Sequence, residues 1–378
     1  MAQDARPKVE PTVEADFTFA SAAPFQLQHG GSLQSATLHY CIYGDLEKNR
    51  DRVIFVCHAL SGSARIHDWW PELLGPGLPF DPERYAILGI NFIGSCYGST
   101  GPTSNNPATG QPYGPDFPVV TIGDIVRAHA ALLDHLGIRK LHAAIGASIG
   151  GMQALELAFR YPERIGHAVA IGVTPLNALG LALNHLQRQS IWNDPAWNNG
   201  RYTEQPANGL GAARALAMCS YKSAVLFEER YGRRPNRNGE DPFSTVKGRF
   251  DVGGYLDHQG EKFVRRFDAN SYITITKLMD NWDVPAAGSP EYRGAIENDV
   301  RIDVMGLTTD WLFPPQEVKA LHERFKREGL NSHYSELVSD HGHDGFLADS
   351  DRLQGFFESL LSGSLVRSSS PLLAVAAD

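Results

Sequence analysis

Ser148 stands in Gly146-Ala147-Ser148-Ile149-Gly150, where a short apolar run gives way to an apolar stripe at helical spacing. A serine on a sharp strand-to-helix corner takes unfavourable backbone angles, and only small neighbours let the two segments pass closely. Its hydroxyl then stands clear of the sheet, and the N–H groups opening the helix face any oxyanion that develops. The chemistry is nucleophilic: a hydroxyl that needs a base, and a base that needs an orienting carboxylate. With G-x-S-x-G these follow in the order Ser, Asp, His, each past the C-terminal end of a later strand. Asp310 follows "RIDVMGLTT", and His343 follows "SELVSDHG". His341 is the second candidate base in "SDHGHDGF"; His343 is preferred because glycine precedes it and the loop turns into a helix just afterwards. Asp340 and Asp344 flank these histidines, but no third ligand motif accompanies them, so no metal is expected. A second oxyanion donor belongs in the loop after an early strand, which here is "CHALSGSA" (57–64). The candidate donors are the N–H groups of Leu60 and Ile149.

Such a constellation requires a particular scaffold. "RVIFVCHAL" (52–60), "YAILGIN" (85–91), "LHAAIGAS" (141–148) and "IGHAVAIGV" (165–173) read as buried strands bounded by turn residues. "GDIVRAHAALLDHLG" (123–137) and "GGMQALELAFRYPE" (150–163) read as helices, the first closing at Gly137 and the second stopping near Pro162. Continuous apolar strands alternating with amphipathic helices predict a mostly parallel central sheet flanked by helices on both faces. From 175 to 296 the pattern is largely helical; strand-like runs return in "DVRIDVMGLTTD" (299–310) and "SHYSELVSD" (332–340). The reading is one α/β core in two parts, 16–174 and 297–364, interrupted by a helical cap over 175–296. Residues 1–15 and 365–378 are expected to be loosely ordered ends.

The 378 residues are 42% hydrophobic, enough for a large core. A net charge of -9 with interspersed signs argues against a nucleic-acid partner. No run is apolar enough to span a bilayer and the N-terminal residues lack a signal-peptide core, so no membrane partner and a cytoplasmic location are expected. Four scattered cysteines without CxxC spacing suggest reduced thiols, with Cys57 and Cys96 as buried small hydrophobes.

These motifs together resemble the homoserine O-acetyltransferases (the MetX-like family) of the α/β-hydrolase fold. The resemblance runs from about 35 to 360. It is carried by "CHALSGSA", "NFIGSCYGSTGPTSNNPATGQPYG" (91–114), "GASIGGMQALE" (146–156), "FDANSY" (267–272) and "GHDGF" (342–346). It implies Ser148 as nucleophile, His343 as general base and acid, and Asp310 as orienting carboxylate. It further implies that Arg214, Tyr221 and Asp344 hold the amino-acid substrate. The implied reaction is ping-pong transfer of acetyl from acetyl-CoA to L-homoserine, a step of methionine biosynthesis. No cofactor is bound permanently, acetyl-CoA is a co-substrate, and a homodimer forms through the cap. Three departures, Ser61 and Ser220 for threonine and Ile149 for methionine, leave the acyl donor open. The alternatives are homoserine or serine O-succinyltransfer and plain serine-esterase hydrolysis.

Overall fold

A computed structural model describes residues 8–20 and 23–362. Its strands are β1 (Val13–Phe19), β2 (Phe25–Gln26), β3 (Ser32–Leu33), β4 (Ala36–Tyr43), β5 (Val53–Cys57), β6 (Ala86–Ile90), β7 (Leu141–Ala147), β8 (Ile165–Ile171), β9 (Arg301–Leu307) and β10 (Ser332–Leu337). The helices are α1 (Ile122–His135), α2 (Ile149–Arg160), α3 (Ala178–Trp192), α4 (Ala207–Tyr221), α5 (Ala224–Arg230), α6 (Asp251–Val264), α7 (Ala269–Asn281), α8 (Pro290–Glu297), α9 (Pro315–Arg327), α10 (Gly345–Ala348) and α11 (Gln354–Leu361). Eight strands form one sheet in the order β1-β4-β6-β5-β7-β8-β9-β10, with β2 and β3 as a separate pair. The β1–β4 and β4–β6 pairings are antiparallel; the rest of the large sheet is parallel. This is the mostly parallel, helix-flanked α/β architecture that the sequence predicts.

Alternation along the strands sends side chains to two separate cores. Val53, Phe55, Ala144, Ala168 and Val304 face the side covered by α1, α2 and α9. Ile54, Val56, Ile145, Val169 and Met305 face the other side, filled by Trp70, Phe80 and the α11 residues Phe356 and Phe357. Burial on both faces is why these strands read as unbroken apolar runs. Helix α1 begins on a reciprocal Thr121–Asp124 capping box. It ends with Ile138 N–H bonded to Leu133 O and Gly137 N–H to Asp134 O, a turn that puts Gly137 at φ 68.

Two expectations need correction. Strand β1 begins at Val13, inside the segment 1–15 expected to be loosely ordered. Ala15, Phe17 and Phe19 alternate with polar residues and pack on the core, so the segment is held by pairing with β4. Residues 1–7 and 363–378, which include the 365–378 tail, lie outside the described residues. Cys57 is buried in β5, whereas Cys96 sits in the loop after β6 and is only partly covered. All four cysteines are free.

Between β8 and β9 the chain is helical. Helices α3, α4, α6 and α7 pack on one another as a cap. Helix α8 lies, but for Glu297, in the 175–296 segment assigned to the insertion, yet it packs on α2 of the core. There the Tyr292 ring stacks on Phe159 at 5.4 Å, and Phe325 of α9 meets Phe159 edge-on at 5.7 Å. Among the described residues no helix is long and apolar enough to cross a membrane.

Phe325 is fully buried where α2, α8 and α9 meet. Phe325→Ala is expected to destabilise the protein by about 3–5 kcal/mol through lost burial and a residual cavity. Urea denaturation followed by tryptophan fluorescence measures this; a cost under about 1 kcal/mol would mean that the three helices do not share a core there.

Candidate active site

Strand β7 ends at Ala147, helix α2 starts at Ile149, and Ser148 between them has φ 55 and ψ -131. The two flanking glycines act through close approach. A Cβ on Gly146 would stand 2.3 Å from the Gly150 carbonyl carbon and oxygen, and one on Gly150 would stand 2.2 Å from Cys57 O at the end of β5. The corner therefore crosses its own backbone and that of the neighbouring strand, where no side chain fits. Ser148 N–H donates to Ile171 O at 2.9 Å, tying the corner to β8.

Asp310 lies just beyond β9. Its Oδ1 accepts the backbone N–H groups of Leu312 and Phe313 at 2.9 and 3.0 Å, which fixes the carboxylate plane. Its Oδ2 accepts His343 Nδ1–H at 2.7 Å, and both side chains are buried. The carboxylate thus selects the tautomer that leaves Nε2 bare. Nε2 is buried without a hydrogen-bond partner among the described residues, so its bond to the Ser148 hydroxyl is not made here. A long or unformed bond of this kind is common before substrate binds. Burial opposes charging of His343, but the charge and hydrogen bond of Asp310, with the charge of Asp344, outweigh it and raise the pKa above the usual histidine value. Gly172, at φ 56 just after β8, leaves room for the pair: a Cβ there would stand 3.3 Å from Asp310 Oδ2 and 3.4 Å from His343 Cε1. Its neighbour Ile171 accepts the Ser148 N–H, so one strand end touches all three residues.

Ile149 opens α2, so its N–H is among those that a helix leaves without an internal partner. Leu60 lies in the loop after β5, and the contact of Gly150 with Cys57 and His58 carbonyls brings this loop against the first turn of α2. The loop is anchored from the cap. The Arg266 guanidinium, between α6 and α7, donates to Ser61 O at 3.0 Å and to Tyr97 OH at 2.6 Å. Tyr97 belongs to the 91–114 segment, whose Ser99 and Thr100 hydroxyls accept the backbone N–H groups of His39 and Thr37 on β4. That glycine- and proline-rich stretch therefore joins the sheet to the cap.

The three cap-side candidates have different settings. Arg214 lies over the Tyr221 and Phe263 rings at 5.5 and 4.9 Å and has no carboxylate partner among the described residues. The Tyr221 ring lies 5.8 Å from that of His343; burial pushes its phenol pKa up, so the hydroxyl keeps its proton. Asp344 is bound to Lys222 Nζ at 2.8 Å. Around this pair the α4–α5 junction clasps the histidine loop: Trp311 Nε1–H donates to Lys222 O at 3.1 Å, and the Ser223 hydroxyl donates to Asp340 O. Gly342, at φ 68, fits against the same junction, where a Cβ would stand 2.7 Å from Ser223 N. His341 is held elsewhere, with Nδ1 2.9 Å from Asp349 Oδ2. The two histidines thus serve different carboxylates.

Lys222, Arg266 and Gly172 escaped the reading of the sequence. Lys222 was signalled only by following Tyr221, Gly172 by lying near the end of the strand-like run 165–173, and Arg266 by preceding "FDANSY".

The sequence matches the family model described as alpha/beta hydrolase fold over residues 52–350. A homoserine O-acetyltransferase of Rhodopseudomonas palustris is 41% identical over 345 residues, covering 88% of this chain and 86% of the relative. A homoserine O-succinyltransferase of Comamonas testosteroni is 37% identical over 380 residues, covering 90% and 93%. Among solved structures, esterase E22 superposes with a TM-score of 0.81 at 25% identity, covering 92% of this chain and 99% of that one.

Asp310→Asn preserves shape but removes the charge and leaves His343 without its anionic partner. Turnover of an activated ester is expected to fall by on the order of 10⁴-fold. A general base must be neutral, so with its pKa raised the acid limb of kcat/KM lies above the usual histidine pKa, about 6.5. In Asp310→Asn the residual activity should have that limb moved to lower pH. A pH–rate profile with an unmoved limb would remove His343 from the role of base.

Proposed function

The chain belongs to the homoserine O-acetyltransferase family of the α/β-hydrolase fold, and from that membership we propose that it transfers an acetyl group from acetyl-CoA to the side-chain hydroxyl of L-homoserine. Ser148 attacks the thioester carbonyl while His343 Nε2 takes its proton. The Leu60 and Ile149 N–H groups hold the oxyanion of the tetrahedral intermediate. As that intermediate collapses, the carbon–sulfur bond breaks and the departing CoA sulfur takes the proton from His343, leaving acetyl-Ser148. Homoserine then enters, His343 removes the proton of its hydroxyl, and the oxygen attacks the acetyl carbonyl. The second collapse frees O-acetylhomoserine and returns the proton to Ser148. Asp310 keeps His343 in the required tautomer and stabilises the imidazolium at each step.

The observation that carries this reading is Arg214. A guanidinium without a carboxylate partner among the described residues, set over Tyr221 beside the histidine, fits the carboxylate of an amino acid, a charge that a plain ester substrate lacks. Asp344 suits the ammonium of the same substrate, which would share it with Lys222 or displace it. Acetyl-CoA acts as co-substrate, and no permanently bound cofactor enters the scheme. The reading includes a cytoplasmic homodimer joined through the cap; Leu179, Leu181, Leu186 and Trp192, exposed on α3, support such a contact. One alternative has a specific support: the succinyltransferase relative points to succinyl-CoA as donor with the same mechanism.

Steady-state kinetics with acetyl-CoA and succinyl-CoA, each against homoserine and serine, distinguish the readings when thiol and acylated amino acid are followed together. Acetyl-CoA with homoserine should give parallel double-reciprocal lines and one acetylhomoserine per thiol. Thiol release indifferent to the amino acid would make the protein a hydrolase, and a preference for succinyl-CoA would change the donor alone.

Arg214→Gln should raise the KM for homoserine roughly 10- to 100-fold, the loss of a charge-assisted hydrogen bond. The acylation burst with p-nitrophenyl acetate should remain. Equal damage to both steps would take Arg214 out of acceptor binding.

A further inference from the structure

His58 precedes the Leu60 loop and has no part in the scheme above, yet it is fully buried and its ring nitrogens have unequal surroundings. Nδ1 lies 2.8 Å from Ala59 O. A carbonyl oxygen only accepts, so Nδ1 carries the proton and donates it. Nε2 is buried without a partner among the described residues. Burial drives the pKa of the ring down to about 4, so the imidazole stays neutral. The ring stacks on Phe92, with centroids 4.5 Å apart and planes 16° from parallel, which fixes the direction of the Nδ1–H bond.

The acceptor of that bond belongs to the peptide whose nitrogen is Leu60 N. A trans peptide is planar, with its C=O and N–H pointing in opposite directions, so fixing Ala59 O fixes the Leu60 N–H. Gly62 N–H donates to the same oxygen at 2.9 Å. The turn is tight: a Cβ on Gly62 would stand 3.0 Å from His58 Cβ, so a side chain there would press on the histidine. Hydrogen bonds accepted by a peptide oxygen also polarise the peptide and strengthen its N–H as a donor. The His58 backbone in turn borders the first turn of α2: a Cβ on Gly150 would stand 3.1 Å from His58 O.

We propose that His58 is a positioning residue for the oxyanion site, its Nδ1–H holding the Ala59–Leu60 peptide so that the Leu60 N–H faces the acyl oxygen. The proposal rests on Leu60 being an oxyanion donor. It requires neither CoA nor homoserine.

The test uses the full-length protein and the burst of p-nitrophenolate from p-nitrophenyl acetate, which reads acylation of Ser148 alone. His58→Phe keeps a flat ring for Phe92 but offers no donor. His58→Asn offers an amide N–H near the position of Nδ1. His58→Phe should slow acylation about 10- to 100-fold, less than outright loss of an oxyanion donor. It should weaken a trifluoromethyl ketone inhibitor by the same factor and leave the KM for homoserine unchanged. His58→Asn should recover most of both losses. Nitrogen-15 NMR of the unmodified protein should show His58 as the Nδ1–H tautomer, a reading independent of whether either variant folds. Wild-type acylation by His58→Phe, equal losses in the two variants, or an Nε2–H tautomer would overturn the proposal. A wild-type enzyme that releases no p-nitrophenolate at all would overturn both this proposal and the role of Leu60. One that gives a burst but ignores homoserine would overturn only the acceptor reading.

Discussion

The site depends on one backbone conformation, the positive φ of Ser148. A non-glycine residue held there costs about 1–3 kcal/mol and persists only where its surroundings leave it no alternative. Both segments that meet at the serine are immobilised before they reach it. Strand β7 is bonded to β5 on one side and β8 on the other, and α2 is buried from Ile149 to Phe159. Relaxing φ would swing one of them out of the core. The glycines on either side serve the crossing rather than the strained angle itself, since their missing Cβ atoms are what let β7, α2 and the end of β5 share one corner.

The sheet then sets the remaining geometry by adjacency. Strands β7, β8, β9 and β10 are consecutive neighbours and parallel, so their C-terminal ends open on one edge. Ser148, Gly172, Asp310 and His343 follow those four ends in order. Gly172 supplies space rather than chemistry. The cap is attached to this edge at two loops, with Lys222 and Ser223 on the loop of His343 and Arg266 on the loop of Leu60. A shift of the cap would therefore move the His343 loop and the Leu60 loop together.

The parts of this arrangement that were legible in the sequence are those set by local pattern. Apolar runs, a serine between glycines, and strand-end acidic and histidine residues are all short-range signals. The antiparallel edge was less legible: β4, "ATLHYCIY", alternates only in part, and its apolar end is continuous with Tyr43. The clasp between cap and core was not legible at all. Trp311 meets Lys222 and Arg266 meets Ser61 across 89 and 205 residues; each lies beside or within a marked stretch, but no local pattern pairs one stretch with the other. Asp344 illustrates the same limit, because its type suggests a free carboxylate whereas its position gives it a lysine.

That pairing bears on how an acyl-enzyme could prefer an amino-acid hydroxyl to water. Excluding water cannot suffice, because a pocket that admits the acceptor also admits something smaller. The preference must come from positioning, and well-oriented groups reach effective molarities on the order of 10⁵–10⁸ M. A zwitterion offers two fixed charges for that purpose. On the proposed reading Arg214, without a carboxylate partner among the described residues, takes the substrate carboxylate, while Asp344 already has a cation in the Lys222 ammonium. The half-buried Asp344 carboxylate is thus paired without drawing on the Arg214 guanidinium. An acceptor carrying both charges can meet Arg214 and exchange with Lys222 at Asp344, whereas water can do neither.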